Sequence, residues 1–233
     1  MNISSTLLVL LVVLTAPNAL GLSLTSRIPL VRRLFKSKSK SEDFHSLLLS
    51  RRTVNDFDPT LPDGWQTSIN RAIKAATFAP NHKRTEPWRF HLLGPQAIRR
   101  VCELNADLVS AKKGPEAGQK KLDRWLKMPG WLVVTQVVDE KNGGSLNVPN
   151  SLVKEDYAAC CCAVQNLCLS LHADGLGTKW TTGPVNFDSR FGDAVGLPQN
   201  ELVVGTIWFG QASKTPDVPK KRLALDDVLC HHD

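Results

Sequence analysis

The longest uninterrupted helical pattern in the sequence covers residues 152–174, and it limits the folds that the chain can adopt. Apolar residues occupy more of this segment than one helix face requires, and Gly175 ends it. A helix that is apolar nearly all round is buried on several sides. In a chain of 233 residues, this pattern predicts either a central helix or a helix at a subunit interface.

Short apolar runs predict strands on both sides of this helix in the sequence. Residues 131–138 and 202–209 are nearly continuous runs of apolar and β-branched side chains, which is typical of buried strands. Residues 89–93 and 177–182 predict two shorter strands. Long helices that alternate with buried strands give an α+β or α/β domain of three layers.

The remaining segments predict further helices and one charged connection. Apolar spacing predicts helices over residues 65–78 and 96–111, and a weaker helix over residues 187–195. Pro80 stops the first of these, because proline has no backbone N–H to donate. Residues 112–126 are rich in charge, and we expect them to be mobile.

The net charge of +7 is concentrated in the first part of the chain. Residues 1–41 contain six bases and no acid, which leaves 23 bases and 22 acids in the remainder. A nearly neutral body argues against a nucleic-acid-binding face. The basic charge therefore belongs to an N-terminal leader.

That leader has the composition of a two-part targeting sequence. Residues 7–14 form an apolar core too short to span a bilayer, and small residues follow at Ala19 and Gly21. The sequence predicts a signal peptide at 1–21, a basic transit-like segment at 22–41 and a folded domain at 42–233. This order is typical of plastid import through the secretory route, without stable membrane insertion after processing. Secretion and an endomembrane location are the alternatives.

The six cysteines do not suggest a metal site or a disulfide framework. None lies at Cys-x-x-Cys spacing, and Cys160, Cys161 and Cys162 are adjacent within the long helix. We expect these three to be small buried apolar residues. No other cluster has the spacing of metal ligands.

A short helix is predicted to begin at Ser41, and it leads into two adjacent arginines in the stretch Ser50-Arg51-Arg52-Thr53. Guanidinium groups and a hydroxyl recognise phosphates and carbonyl-rich heterocycles. The alternative is a solvated basic helix end. The stretch is therefore a candidate binding site, and other segments of the chain must decide between the two interpretations.

Two other loops could supply that support. Residues 79–90 place His82 and Trp88 between a helix and a strand, and residues 175–182 form a glycine-rich turn that leads into Trp180. Loops that connect regular elements often carry binding sites. No nucleophile–base arrangement, phosphate-loop motif or dinucleotide-binding fingerprint is present. These features favour an enzyme whose cofactor carries the reaction.

Four segments, taken in order, resemble the FMN-dependent nitroreductase family and its small bacterial single-domain branch. Arg-Arg-Thr at 51–53 resembles the family's Arg-Arg-Ser, and Ala-Pro-Asn-His at 79–82 with Glu-Pro-Trp-x-Phe at 86–90 resembles its second motif. Residues 163–178 resemble the central helix and following turn, and residues 202–210 the last core strand. The resemblance covers residues 43–210.

This resemblance implies a fold, a cofactor and a reaction. The fold is an α+β three-layer sandwich with a central helix, which forms a homodimer with two FMN sites at the interface. NADPH or NADH reduces FMN in a ping-pong mechanism. The oxidised nicotinamide then leaves, and a flat electrophile such as a nitroaromatic or a quinone binds at the same flavin face. No metal is implied.

The resemblance also assigns residues to the cofactor site. The arginines and Thr53 hold the phosphate, ribityl chain or ring edge, the segment after the central helix lines the ring, and a basic residue of the tail reaches the phosphate. His82 lies near the flavin of its own or the facing subunit. The full set is Arg51, Arg52, Thr53, His82, Trp180, Thr181, Thr182, Gly210 and Arg222.

Two departures and two alternatives accompany this assignment. Thr53 replaces the family's serine and keeps the hydroxyl, whereas Glu86 replaces a neutral glutamine and puts any contact of that amide in doubt. The same binding residues would serve a protein that sequesters or senses FMN without turnover. A different family reaction, such as reductive dehalogenation or flavin destruction, would need a lid, for which residues 112–150 offer the place.

Overall fold

The structure, a computed structural model, describes residues 39–138, 151–214 and 220–232. The chain divides into two units, residues 1–45 and residues 46–233. The predicted signal peptide and most of the transit-like segment lie outside the described residues, so they stay predictions. Within the described parts of the chain, no helix combines the length and the apolar character that crossing a bilayer requires.

A four-stranded antiparallel sheet forms the middle of the larger unit. Its strands are β1 (Trp88–Leu92), β2 (Gly130–Val137), β3 (Gly177–Thr181) and β4 (Glu201–Gly210), in the order β1-β2-β4-β3. The strands lie within two residues of the predicted bounds. The two central strands, β2 and β4, are those with the most continuous apolar sequence, because both of their faces are covered.

The described residues also form six α-helices and three short 3-10 turns. The helices are α1 (Lys40–Ser50), α2 (Trp65–Ala76), α3 (Pro95–Lys113), α4 (Pro115–Trp125), α5 (Ser151–Ala173) and α6 (Phe191–Val195). The 3-10 turns are His82–Arg84, Pro184–Phe187 and Leu225–Asp227. These counts refer to the described residues.

The helices lie on both faces of the sheet and give the three predicted layers. On one face, α2 and α5 bury Ile69 and Leu167 against Leu132 and Ile207 of the central strands. On the other face, α3, α4 and α6 enclose a second core. That core contains Trp125, Trp131 and Trp208, whose ring centroids lie 5.1–5.7 Å apart. The α+β three-layer prediction is confirmed.

Helix α5 is the predicted long helix, but only one of its faces is buried within a single chain. Cys160 is buried, Cys161 is half-buried and Cys162 is exposed. The expectation that all three cysteines are buried was therefore wrong for Cys162. Three consecutive helical positions spread over most of a turn, and in one chain the sheet and α2 cover only one side.

The charged segment at 112–126, for which no helix was predicted, contains the end of α3 and the whole of α4. Gly114 ends α3 with a φ of 87°, and Pro115 begins α4 at the first helical position, where its missing N–H costs nothing. The two helices pack so closely that a Cβ on Gly118 would lie 1.9 Å from Ser110 Oγ. Trp125 anchors α4 in the second core, and the charges face outward.

Candidate functional site

The two predicted arginines are held in place by the strand that follows α5. Thr53 forms a parallel bridge with Thr178, and the Val54 N–H donates to the Thr178 carbonyl at 3.0 Å. This approach requires a glycine at position 177, because a Cβ there would lie 2.5 Å from Val54 Cγ2. Arg51 and Arg52 therefore lie beside the first residues of β3.

A cleft of about 220 Å³ opens between these segments. The end of α1, the last turn of α5, the turn into β3 and the residues after β4 line it. The lining residues are Ser50, Arg51, Arg52, Val54, His172, Gly175, Leu176, Gly177, Thr178, Gln211 and Ala212.

The cleft carries positive charge that no carboxylate among the described residues of the larger unit balances through an ion pair. Lys220 donates to the Leu49 carbonyl at 2.8 Å, and Arg52 donates to the same carbonyl at 3.1 Å. Among the described residues of the larger unit, no carboxylate lies in ion-pairing range of Arg51, Arg52 or Lys220. Desolvation lowers the pKa of Lys220, and the charges of Arg52, Arg51 and Arg222 lower it further. This arrangement is suited to an anion.

One donor of this cationic cluster is buried and unused. Arg52 Nε is inaccessible to solvent and has no hydrogen-bond partner among the described residues. An unsatisfied buried donor costs about 1–3 kcal/mol, more when it is charged. A phosphate monoester, which presents three acceptor oxygens and up to two negative charges, fits a site with such a donor set.

The predicted ring-lining residues continue from the cleft along β3. Trp180 is 39% exposed and lies on the α5 side of the sheet, opposite Ile207. Its indole covers Gly205, where a Cβ would lie 2.3 Å from Trp180 Nε1. The Thr181 carbonyl accepts from Asn186 Nδ2 at 2.8 Å, and Thr182 is exposed in the turn that follows. The strand thus offers a flat apolar ring beside polar backbone groups.

The last strand and the tail supply the other two predicted residues. Gly210 pairs with Gly177 at the cleft end of the sheet and is buried, with Pro129 so close that a Cβ would lie 2.7 Å from its Cγ. Gly210 therefore positions Gln211 rather than offering a surface of its own. Arg222 is exposed and lies near enough to Lys220 to lower its pKa.

His82 is separate from the cleft of its own chain. It pairs with Glu155 in the first turns of α5, whereas the cleft includes His172 in the last turn. Seventeen residues of helix place these two points about 25 Å apart. The loop around His82 is anchored by Thr85, whose hydroxyl donates to Asp156 at 2.5 Å. One small ligand cannot contact both ends of α5 within a single chain.

The loop that holds His82 has a strained backbone. Lys83, Arg84 and Glu86 all adopt positive φ, at 58°, 52° and 44°. Left-handed conformations are uncommon for residues other than glycine and persist where surrounding contacts fix them. Here Asn81 Oδ1 accepts from the Glu86 N–H at 2.8 Å. The Glu86 side chain itself is exposed.

Two cleft residues were missed by the sequence reasoning. His172 lies one helical turn after Cys168 on α5, and a basic residue in the last turn of the helix that precedes a site was a usable signal. Lys220 was passed over in favour of Arg222, although it is Lys220 that contacts the end of α1. The contact between Ser50 and His172 joins positions 122 residues apart, which a single sequence does not reveal.

The sequence pattern that defines the nitroreductase family matches residues 48–211, which include both ends of the cleft described above. This is more than half of the chain. The chain belongs to the nitroreductase family. This nitroreductase is therefore a flavin-dependent oxidoreductase, and the predicted family resemblance is confirmed.

Individual relatives agree with this assignment. A Bacillus subtilis (strain 168) protein that carries the provisional name NAD(P)H nitroreductase YfhC is 28% identical over 186 residues, which cover 78% of this chain and 90% of that protein. Iodotyrosine deiodinase 1 of Rattus norvegicus is 27% identical over 203 residues, or 82% of this chain and 70% of the deiodinase.

A solved structure shows the same fold. The crystal structure of a nitroreductase-like family protein from Bacillus cereus superposes with a TM-score of 0.68 at 27% identity, and covers 84% of this chain and all of that chain.

Proposed function

We propose that this nitroreductase binds FMN, takes reducing equivalents from NADPH or NADH, and reduces a flat electrophilic acceptor of the nitroaromatic or quinone type in a ping-pong mechanism. The cationic cleft carries the proposal, because among the described residues of the larger unit its cations pair with no carboxylate and Arg52 Nε is buried without a hydrogen-bond partner. A flavin that ends in a phosphate fits such a cleft better than riboflavin does. The name of the relative YfhC supports a nicotinamide as the electron donor.

In this proposal the protein binds and orients, and bound FMN supplies the acceptance and delivery of hydride. Arg51, Arg52 and Lys220 hold the phosphate through charge-assisted hydrogen bonds, and Arg222 adds charge from the tail. Thr53 contributes its hydroxyl at the junction with β3. Trp180 offers the apolar face for the ring system, and the backbone groups near Thr181 and Thr182 contact its polar edge.

We also propose that the enzyme is a homodimer in which α5 lies at the interface. Ala158, Cys162 and Gln165 are exposed on the face of α5 that the sheet and α2 leave uncovered. Packing two copies of α5 antiparallel about a two-fold axis would bring His82 of one subunit towards the cleft of the other. This arrangement would explain why one chain places the two predicted parts of the site at opposite ends of α5.

Reductive dehalogenation is a second candidate function, favoured by the similarity to iodotyrosine deiodinase 1. It would use the same flavin site with a halogenated phenol as the acceptor. The segment where a lid over the acceptor was expected, 112–150, is helical at Pro115–Trp125, and residues 139–150 lie outside the described part of the chain. The two functions therefore differ in the acceptor and not in the cofactor.

An acceptor panel tests these proposals. Purified enzyme with FMN is mixed anaerobically with NADPH or NADH and with a nitroaromatic, a quinone or an iodotyrosine, and nicotinamide oxidation is followed at its absorbance band. We expect turnover with the nitroaromatic or the quinone. Halide release from iodotyrosine at a higher kcat/KM would favour the second candidate. Binding of FMN without turnover of any acceptor would favour a protein that only sequesters the cofactor.

A further inference from the structure

His172 lies where three segments of the chain meet at the back of the cleft. Its Nε2 atom is 2.9 Å from Ser50 Oγ, and the Ser50 hydroxyl donates to the Leu47 carbonyl at 3.1 Å. Because that hydroxyl has only one hydrogen, it accepts from His172 Nε2–H. The hydrogen-bond network therefore assigns the proton of the neutral imidazole to Nε2 and leaves Nδ1 as the atom that titrates.

The charges that face His172 are cationic. Arg51 and Arg52 approach from the segment after α1, and Lys220 approaches from the C-terminal tail. Desolvation lowers the pKa of His172, and the charges of Arg51 and Lys220 lower it further. An imidazolium ion next to these cations would be repelled. The imidazole is therefore neutral near pH 7 when no anion is present.

Among the described residues, the other ionisable groups near His172 do not offset this effect. Asp174 follows two residues later, but Arg71 engages its carboxylate at 2.6 Å. Cys168 lies one helical turn before His172. It is a neutral thiol, because burial raises its pKa more than Thr178 and Arg51 lower it. The residues at 175–178 and Gln211, which complete the cleft, carry no ionisable side chain.

We infer that His172 couples occupancy of the cleft to protonation: the imidazole is neutral in the flavin-free enzyme and takes up a proton from solvent on Nδ1 when a phosphate dianion enters. The inference rests on the proposed function and deepens it. An anion beside Arg51 and Lys220 cancels the repulsion that keeps the imidazole neutral, and it attracts the imidazolium directly. His172 is thus a positioning residue for the phosphate end of the cofactor.

The direction of the pH dependence follows from the two states. The pKa of His172 is lowered in the empty cleft and is higher when the dianion is bound, so binding takes up a proton at pH values between the two. FMN affinity then falls as the pH rises through this interval, by up to about tenfold per pH unit for one linked proton. Measurements should stay above about pH 6.5, because the phosphate itself becomes a monoanion near its second pKa of about 6.

Calorimetric titration of the full-length, flavin-stripped enzyme tests the inference. FMN is titrated at one pH in several phosphate-free buffers that differ in ionisation enthalpy, which gives the number of protons taken up. We expect net uptake with FMN and none with riboflavin, which lacks the phosphate. His172→Gln keeps a donor for Ser50 and cannot titrate, so it should lose the uptake and the added pH dependence. The matched control is His231→Gln, which changes an exposed histidine of the tail and should behave as wild type.

Each other outcome has a definite meaning. Equal proton uptake in wild type and His172→Gln, with FMN still bound, overturns the inference and leaves the proposed cofactor intact. Absence of FMN binding to wild type overturns both. If His172→Gln does not fold, the wild-type enzyme decides alone, because equal proton uptake with FMN and riboflavin would contradict a phosphate-linked protonation.

Discussion

At the scale of single residues, the site is defined by cations that pair with no carboxylate among the described residues of the larger unit. Arg52 keeps one buried donor without a partner among the described residues, and Arg51 forms no ion pair with a carboxylate there. Buried polar groups are usually paired in folded proteins. Such an exception costs stability, and it is expected where a ligand completes the hydrogen bonds.

Replacing Arg51 by alanine should weaken FMN binding more than it weakens folding. Loss of one charge-assisted hydrogen bond of about 1.5–3 kcal/mol predicts a Kd about 10- to 100-fold higher. The folded protein loses little, because the described hydrogen bonds include none from the Arg51 side chain. Quenching of flavin fluorescence measures Kd, and thermal unfolding of the flavin-free protein measures stability.

Arg99→Ala is the control for that substitution. Arg99 lies on the exposed face of α3, where it pairs with Glu103 at 3.6 Å. Arg99→Ala should leave the Kd for FMN unchanged. It should also change the stability of the fold little, since an exposed ion pair of this kind contributes less than about 1 kcal/mol. If Arg51→Ala bound FMN as tightly as Arg99→Ala, Arg51 would have no role in holding the phosphate.

At the scale of elements, the cleft depends on how closely residues 53–54 approach β3. The sheet ends there at Gly177 and Gly210, and both positions lack the space for a side chain. The backbone bridge between Thr53 and Thr178 fixes where the arginines leave α1. A change in this one contact should therefore affect stability and cofactor binding together.

Gly177→Ala tests that dependence. Its Cβ would lie 2.5 Å from Val54 Cγ2 and 3.1 Å from Val54 Cβ, so the segment with the arginines must move. Overpacking of this kind costs about 1–3 kcal/mol. We expect a lower thermal midpoint and weaker FMN binding. Gly192→Ala, in α6, has no heavy atom within 4 Å of the new Cβ and should change neither. Unchanged binding in Gly177→Ala would show that the bridge does not position the arginines.

The elements were largely predictable from the sequence, and their contacts were not. Continuous apolar runs identified β2 and β4, and the length of the apolar segment identified α5. The helix α4 was missed because its buried side contributes few apolar residues besides Trp125. The cationic nature of the cleft followed from Arg51 and Arg52, but His172 and Lys220 join it through contacts between distant parts of the chain.

At the scale of the whole molecule, the separation of His82 from the cleft within one chain is the observation that the proposed homodimer would explain. Large apolar side chains are also exposed elsewhere in the described chain, among them Phe78 at 78% and Phe187 at 66% exposure. Large exposed apolar patches mark surfaces that a partner covers. The proposed two-fold packing of α5 would explain the position of His82.

Ala158→Arg should convert the proposed dimer to a monomer. Ala158 is exposed on the uncovered face of α5, so arginine fits a single chain but would place a bulky charge in the interface. Sedimentation velocity should show the smaller species, and FMN should bind more weakly because the partner's residues are lost. Ala111→Arg, on an exposed position of α3, is the matched control. A dimer that persists in Ala158→Arg as in Ala111→Arg would exclude α5 from the interface.

The visible spectrum of the enzyme with FMN, before and after anaerobic addition of NADPH or NADH, tests cofactor binding and reduction together. We expect the absorbance bands of a bound oxidised flavin, retained through gel filtration, and their bleaching by one of the two nicotinamides. A folded protein that retains no FMN would contradict the assignment of the cationic cleft. Bound flavin that neither nicotinamide bleaches would contradict the proposed oxidoreductase reaction.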